Sequence, residues 1–138
     1  MPNWVIEGLI ATSPRPGYTS GPETRVDAPT VDAWLHDVTT FGIRTVMCLL
    51  AEDQLWLYKH SLPEGLLGRY EAAGLKVAHV PTLDQLTHPF TPEQYDRAWE
   101  LFQEMPKPVL VHCSAGYDRT GRIVNHILAN LAVSSSEE

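Results

Sequence analysis

Basic residues are scarce in this chain, and cysteine is scarcer. Ten Lys and Arg stand against 17 Asp and Glu in 138 residues, a formal charge of −7. That balance excludes the broad basic face needed for duplex nucleic acid or an anionic membrane, and leaves room only for a local basic pocket. Two cysteines, Cys48 and Cys113, can close one disulfide but cannot build a disulfide framework. A reducing, cytoplasmic setting is expected, where a thiol stays free. No apolar run approaches the length of a membrane span. The start, MPNWVIEGLIATSPRPG, lacks the charged region and long apolar core of a signal peptide. His36, His60, His79, His88 and His126 show no metal-ligand spacing, and neither a metal nor another cofactor is expected. No internal repeat is present.

What remains reads as one domain over residues 1–133 with a solvated, flexible tail at 134–138. WVIEGLIAT suggests two short strands turning at Glu7-Gly8. Residues 13–29 are rich in Pro and Gly, and a loop of that length in a compact domain is functional or mobile. Its Arg15 and Arg25 suit either steering of an anion or simple solvation. TVDAWLHDVTTFG places Val31, Trp34, Leu35, Val38 and Phe41 on one helical stripe. RTVMCLL reads as a strand covered on both faces. AEDQLWLYKHS and EGLLGRYEAAG suggest short helices, with Glu52 and Asp53 capping the first, and LKVAHVP a further strand. TPEQYDRAWELFQEM carries a capping box at Thr91 and Gln94 and a proline at its first helical position. KPVLVH is another buried strand, and RTGRIVNHILANL a final helix. The four tryptophans, Trp4, Trp34, Trp56 and Trp99, fall on apolar patterns and are expected in the core. Strands alternating with helices indicate an α/β domain around a mostly parallel sheet.

The segment HCSAGYDRTG, residues 112–121, lies between the last strand and the last helix, where such folds bind ligands. Amides at a helix N-terminus favour an anion. Gly116 and Gly121 would let the backbone curl close to it. Arg119 offers a planar fork that matches two phosphate oxygens. The same positive field favours the thiolate of Cys113. A thiolate beneath a held phosphate is poised for attack on phosphorus.

These residues resemble the signature of the cysteine-dependent protein tyrosine and dual-specificity phosphatases, His-Cys-x-Ala-Gly-x-x-Arg-Thr-Gly. Seven fixed identities would coincide by chance on the order of once in 10⁹ positions, which rules out accident. Weaker similarity to the small atypical dual-specificity enzymes, the kinase-associated kind included, runs through NWVIEGLIATSPRPG, GIRTVMCLLAEDQL, RYEAAGLKVAHVPTLD and PFTPEQ. The resemblance implies the cysteine-phosphatase fold and a role for each matching residue. Cys113 would be the nucleophile that becomes phosphocysteine, and Arg119 would bind the phosphate. Thr120 would help the thiolate leave, and His112 would hold the loop and tune the thiol. Ser114, Ala115, Gly116, Tyr117 and Asp118, with Arg119, would form the phosphate cradle. In this family the general acid lies on a loop after the strand preceding the penultimate helix, and HVPTLDQLTHPFTPEQ makes it Asp84.

The implied activity is hydrolysis of phosphotyrosine, and of phosphoserine or phosphothreonine as further substrates, by a monomer acting on a phosphorylated protein or small phosphate ester. Two alternatives stay open: a phosphatase for phosphoinositides or other small phosphates, and a non-catalytic phospho-binding module. Asp118 departs from the small residue usual before the arginine; it either holds the loop or shares the acid role, as in some phosphoinositide phosphatases. The lysine those enzymes often carry inside the loop is missing. Some relatives have a cysteine beside the signature loop, which makes Cys48 a candidate redox partner of Cys113, against the plainer reading as a packed apolar side chain.

Overall fold

Short apolar segments alternating with amphipathic ones assemble, in the computed structural model, into a five-stranded sheet with helices on both faces. The structure describes residues 2–82 and 89–136. β1 (Asn3–Ile6) and β2 (Ile10–Ser13) pair antiparallel around the expected turn, and β3 (Thr45–Cys48), β4 (Lys76–His79) and β5 (Val109–His112) complete the sheet in the order β1-β2-β5-β3-β4. Every pairing after the first is parallel, as the alternating pattern requires. β3 and β5, apolar but for Thr45 and His112, are buried at every position and sit inside the sheet, whereas mostly exposed β1 lies at an edge.

The helices divide between the faces. α1 (Ala28–Thr40) and α3 (Gly65–Ala72) cover one face through Val31, Leu35, Val38, Leu66 and Tyr70, packed on Val46, Cys48 and Leu110. α4 (Pro92–Glu104) and α5 (Asp118–Ser136) cover the other through Ala98, Phe102, Ile123 and Ile127, packed on Met47, Val109 and Val111. The capping box of α4 forms as read: Thr91 Oγ1 accepts from the Gln94 amide at 3.2 Å, and Gln94 Oε1 accepts from the Thr91 amide at 2.9 Å. Such a cap contributes about 1 kcal/mol.

Three expectations are corrected. α1 starts ahead of Thr30 because the Asp27 carboxylate caps it, accepting from the Thr30 amide at 3.1 Å. Trp56 is 59% exposed rather than in the core. The short α2 (Glu52–Leu55) tightens there into a 3-10 turn, Trp56–Tyr58, that sends Tyr58 inward and leaves Trp56 outside under the Lys59 ammonium. The last helix also continues to Ser136, past the leucine at which its apolar stripe was read to end.

Register decides where the site lies. Ser13, His112 and Cys48 are opposite one another at the carboxyl ends of β2, β5 and β3, and Cys48 is opposite His79 of β4. Strands running the same way therefore release their following loops at one edge of the sheet. No helix among the described residues is long and apolar enough to cross a membrane.

Candidate active site

The signature segment leaves β5 at His112 and re-enters helix at Asp118, so residues 113–117 form the loop at that edge. Gly116 is required there. Its φ is +84°, and a Cβ would stand 2.9 Å from the backbone of Ser13 and Pro14. The loop is thus pressed onto the end of β2, where the Arg15 amide donates to the Ser114 carbonyl at 2.9 Å. Gly121, expected to serve the same curl, instead sits in α5 with open space around its α-carbon.

Cys113, Arg119 and Thr120 are all buried beside this loop. One Arg119 nitrogen, Nη1, donates to the Thr82 carbonyl at 3.0 Å, which fixes the guanidinium and leaves its other donors for an anion. Thr120 Oγ1 is buried without a hydrogen-bond partner among the described residues. A buried hydroxyl in that state costs stability unless an occupant of the site engages it.

His112 is fully buried between two fixed partners. Its Nδ1 lies 2.9 Å from the Cys113 carbonyl, which can only accept, so Nδ1 carries the proton and Nε2 accepts from the Tyr70 hydroxyl at 2.9 Å. Burial pushes this imidazole down to about 4, against the Cys113 carbonyl, which favours the proton. The ring is therefore a neutral brace that holds the loop's first carbonyl from beneath.

Two residues unremarked or undecided in the sequence support the loop and the cleft wall. Arg15 is 3% exposed, neither solvated nor free to steer. Its Nε donates to Ser114 Oγ and its Nη1 to the Tyr58 hydroxyl, both at 3.1 Å, and Tyr58 in turn donates to the Pro16 carbonyl at 2.6 Å. No carboxylate pairs with it among the described residues, and its guanidinium carbon lies 5.8 Å from the centre of the Tyr18 ring. The signal was its place in SPRPG, where two prolines fix the backbone on either side. Thr82 donates to the Leu49 carbonyl through both its amide and its hydroxyl, at 3.1 and 2.7 Å, which ties the segment after β4 to the one after β3. Nothing in its sequence context marked it.

A cleft of about 480 Å³ opens over Cys113, Ser114, Ala115 and Arg119, with Thr82 on one wall. Tyr18, Glu23, Asp53, Gln54 and Asp118 form its mouth. Asp118 meets Arg122 one helical turn on, at 3.3 Å between exposed side chains. Tyr117 is 81% exposed. Asp84 and His88 lie outside the described residues; the chain is described as far as Thr82, already in the cleft wall. Cys48, the last residue of β3, and Cys113, the first residue after the neighbouring β5, are both free thiols, and they belong to the cores on opposite faces of the sheet. Burial pushes the Cys48 thiol up to about 12, which keeps it protonated. No group of metal-ligating side chains occurs among the described residues.

The family model for the tyrosine phosphatase family matches residues 62–137, more than half of the chain and the whole signature segment. Comparison with curated proteins finds no match. Among solved structures, a candidate phosphatase (DUF442) from Shewanella putrefaciens CN-32 superposes with a TM-score of 0.62 at 18% identity, over 89% of this chain and 64% of that one. The core catalytic domain of the PP-IP phosphatase SIW14 from S. cerevisiae, in complex with citrate, superposes with a TM-score of 0.53 at 16% identity, over 89% and 62%. This chain thus spans less than two thirds of the length of either, and at such identities the likeness is one of fold.

Proposed function

The chain belongs to the tyrosine phosphatase family, and from that premise we propose that it hydrolyses phosphate monoesters through a phosphocysteine at Cys113. Its proposed substrate is phosphotyrosine in protein, with phosphoserine and phosphothreonine as further ones. The observation that carries the reading is the convergence of a buried thiol, a fixed guanidinium and an unpartnered buried hydroxyl on one loop at a helix N-terminus. In this mechanism the Cys113 thiolate attacks phosphorus, an S–P bond forms, and the ester P–O bond breaks. Arg119 binds the phosphoryl oxygens through the donors that Thr82 does not use. The departing oxygen takes a proton from Asp84. The same carboxylate then draws a proton from water as it attacks the phosphocysteine, and Thr120 stabilises the returning thiolate. Asp118, at the mouth, is the alternative acid.

A second reading, a phosphatase for inositol or other small phosphates, draws support from the shared fold with SIW14 and from Asp118 in the cleft. The test is kcat/KM on a phosphotyrosine peptide, a phosphoserine peptide and soluble inositol phosphates, assayed side by side. The phosphotyrosine peptide is expected to lead by about tenfold or more. An inositol phosphate in first place would replace the protein reading with the second.

A further inference from the structure

The charges around the cleft are sorted by depth. One buried guanidinium, Arg119, lines its floor, and a second, Arg15, lies beneath the loop against Ser114; neither has a carboxylate partner among the described residues. Its mouth carries three exposed carboxylates, Glu23, Asp53 and Asp118, and no lysine among the described lining residues. Two of the three are held in place by neutral donors. Gln54 donates its side-chain amide to Glu23 at 3.0 Å and its backbone amide to Asp53 at 3.0 Å, which links the loop after β2 to α2. Asp118 meets only the exposed Arg122, a contact of little weight. The nearby Lys59 lies over the Trp56 ring instead.

A floor of this kind rewards one dianionic group, whereas the mouth repels any further negative charge on the same molecule. We infer that the site takes a single phosphate flanked by positive charge: a phosphotyrosine peptide with Lys or Arg beside the phosphorylated residue, rather than an acidic phosphopeptide or a polyphosphorylated small molecule. The inference rests on the phosphotyrosine reading and sharpens it. Carboxylates several ångströms from a flanking charge, across water, alter binding by a fewfold each and are screened by salt.

The experiment compares two phosphotyrosine peptides that differ only in Lys or Glu at the positions flanking the phosphorylated residue. Each is assayed at low and at high ionic strength, on the wild type and on E23Q/D53N. The Lys-flanked peptide is expected to have a kcat/KM roughly tenfold higher at low salt. That ratio should shrink to about twofold at high salt and, independently, in E23Q/D53N. Equal rates for both peptides, a preference for the Glu-flanked one, or a ratio untouched by both salt and the double substitution would overturn the inference while leaving the phosphatase reading intact. Hydrolysis of neither peptide would overturn both. The salt series on the unmodified protein decides the matter even if the double variant folds poorly.

Discussion

The floor and the mouth of the cleft are built by opposite means. On the floor and beneath it, Arg119, His112 and Arg15 are buried and each is tied to a named partner: Thr82, the Cys113 carbonyl and Tyr70, and Ser114 and Tyr58. At the mouth, Glu23, Asp53 and Asp118 are exposed and make at most single, solvent-screened bonds. Buried polar groups with fixed partners hold one geometry and are costly to disturb. Exposed ones shift affinity without moving the chain. Chemistry is therefore expected to fail when the floor is altered, and substrate choice to drift when the mouth is altered.

The largest break of that contrast is at the nucleophile. Cys113→Ser should lower kcat by about 10⁴-fold or more while phosphate-ester binding survives, because Arg119 and the loop remain. Appreciable turnover by that variant would rule out the covalent route. Next comes the acid. Asp84→Asn should lower kcat by roughly 10²–10³ on an alkyl or unactivated aryl phosphate and remove the basic limb of its pH profile, with a smaller effect on an activated aryl phosphate. If Asp118→Asn removes that limb instead, a residue of the mouth performs chemistry and the division is wrong.

The brace beneath the loop predicts an acid-sensitive fold. In the unfolded chain His112 takes up its proton near pH 6.5, whereas in the folded protein it resists until about 4. Unfolding thus binds a proton throughout that window, and stability is lost as pH falls through it. Between pH 7 and 5 the loss should be on the order of 2 kcal/mol by chemical denaturation. The same measurement on His112→Asn should give a flatter profile. A wild-type profile as flat as the variant's would mean that the ring is not held neutral.

The smallest expected effect is beneath the loop, at Arg15. Arg15→Lys keeps the charge but cannot span Ser114 and Tyr58 together, so kcat should fall about tenfold. Inhibition by inorganic phosphate, which reads the charge alone, should change much less. Loss of phosphate inhibition with kcat unchanged would make Arg15 a binding charge rather than a tether for the loop.

Local patterns carried most of the fold. The capping box of α4, the mostly apolar strands β3 and β5 and the turn at Glu7-Gly8 all depend on neighbours in sequence and were legible there. Trp56 was misread because a helix was extrapolated through a residue where the chain tightens into a 3-10 turn, and that switch is set by tertiary packing of Tyr58. The signature loop was legible because its residues follow one another in sequence at the spacing of a known family pattern. Arg15 and Thr82 were not, because each reaches the loop from a different strand end. Only the strand order, which places β5 between β2 and β3, brings Ser13, His112 and Cys48 into one row and their following loops together.

The central claim is that the floor acts through a covalent bond to Cys113. Rapid quenching during turnover of a phosphotyrosine peptide, followed by mass spectrometry of the protein, tests it most directly. The account predicts one added phosphoryl group on Cys113, accumulating further in Asp84→Asn and absent in Cys113→Ser. Steady turnover with no adduct on Cys113, or an adduct on another residue, would contradict it.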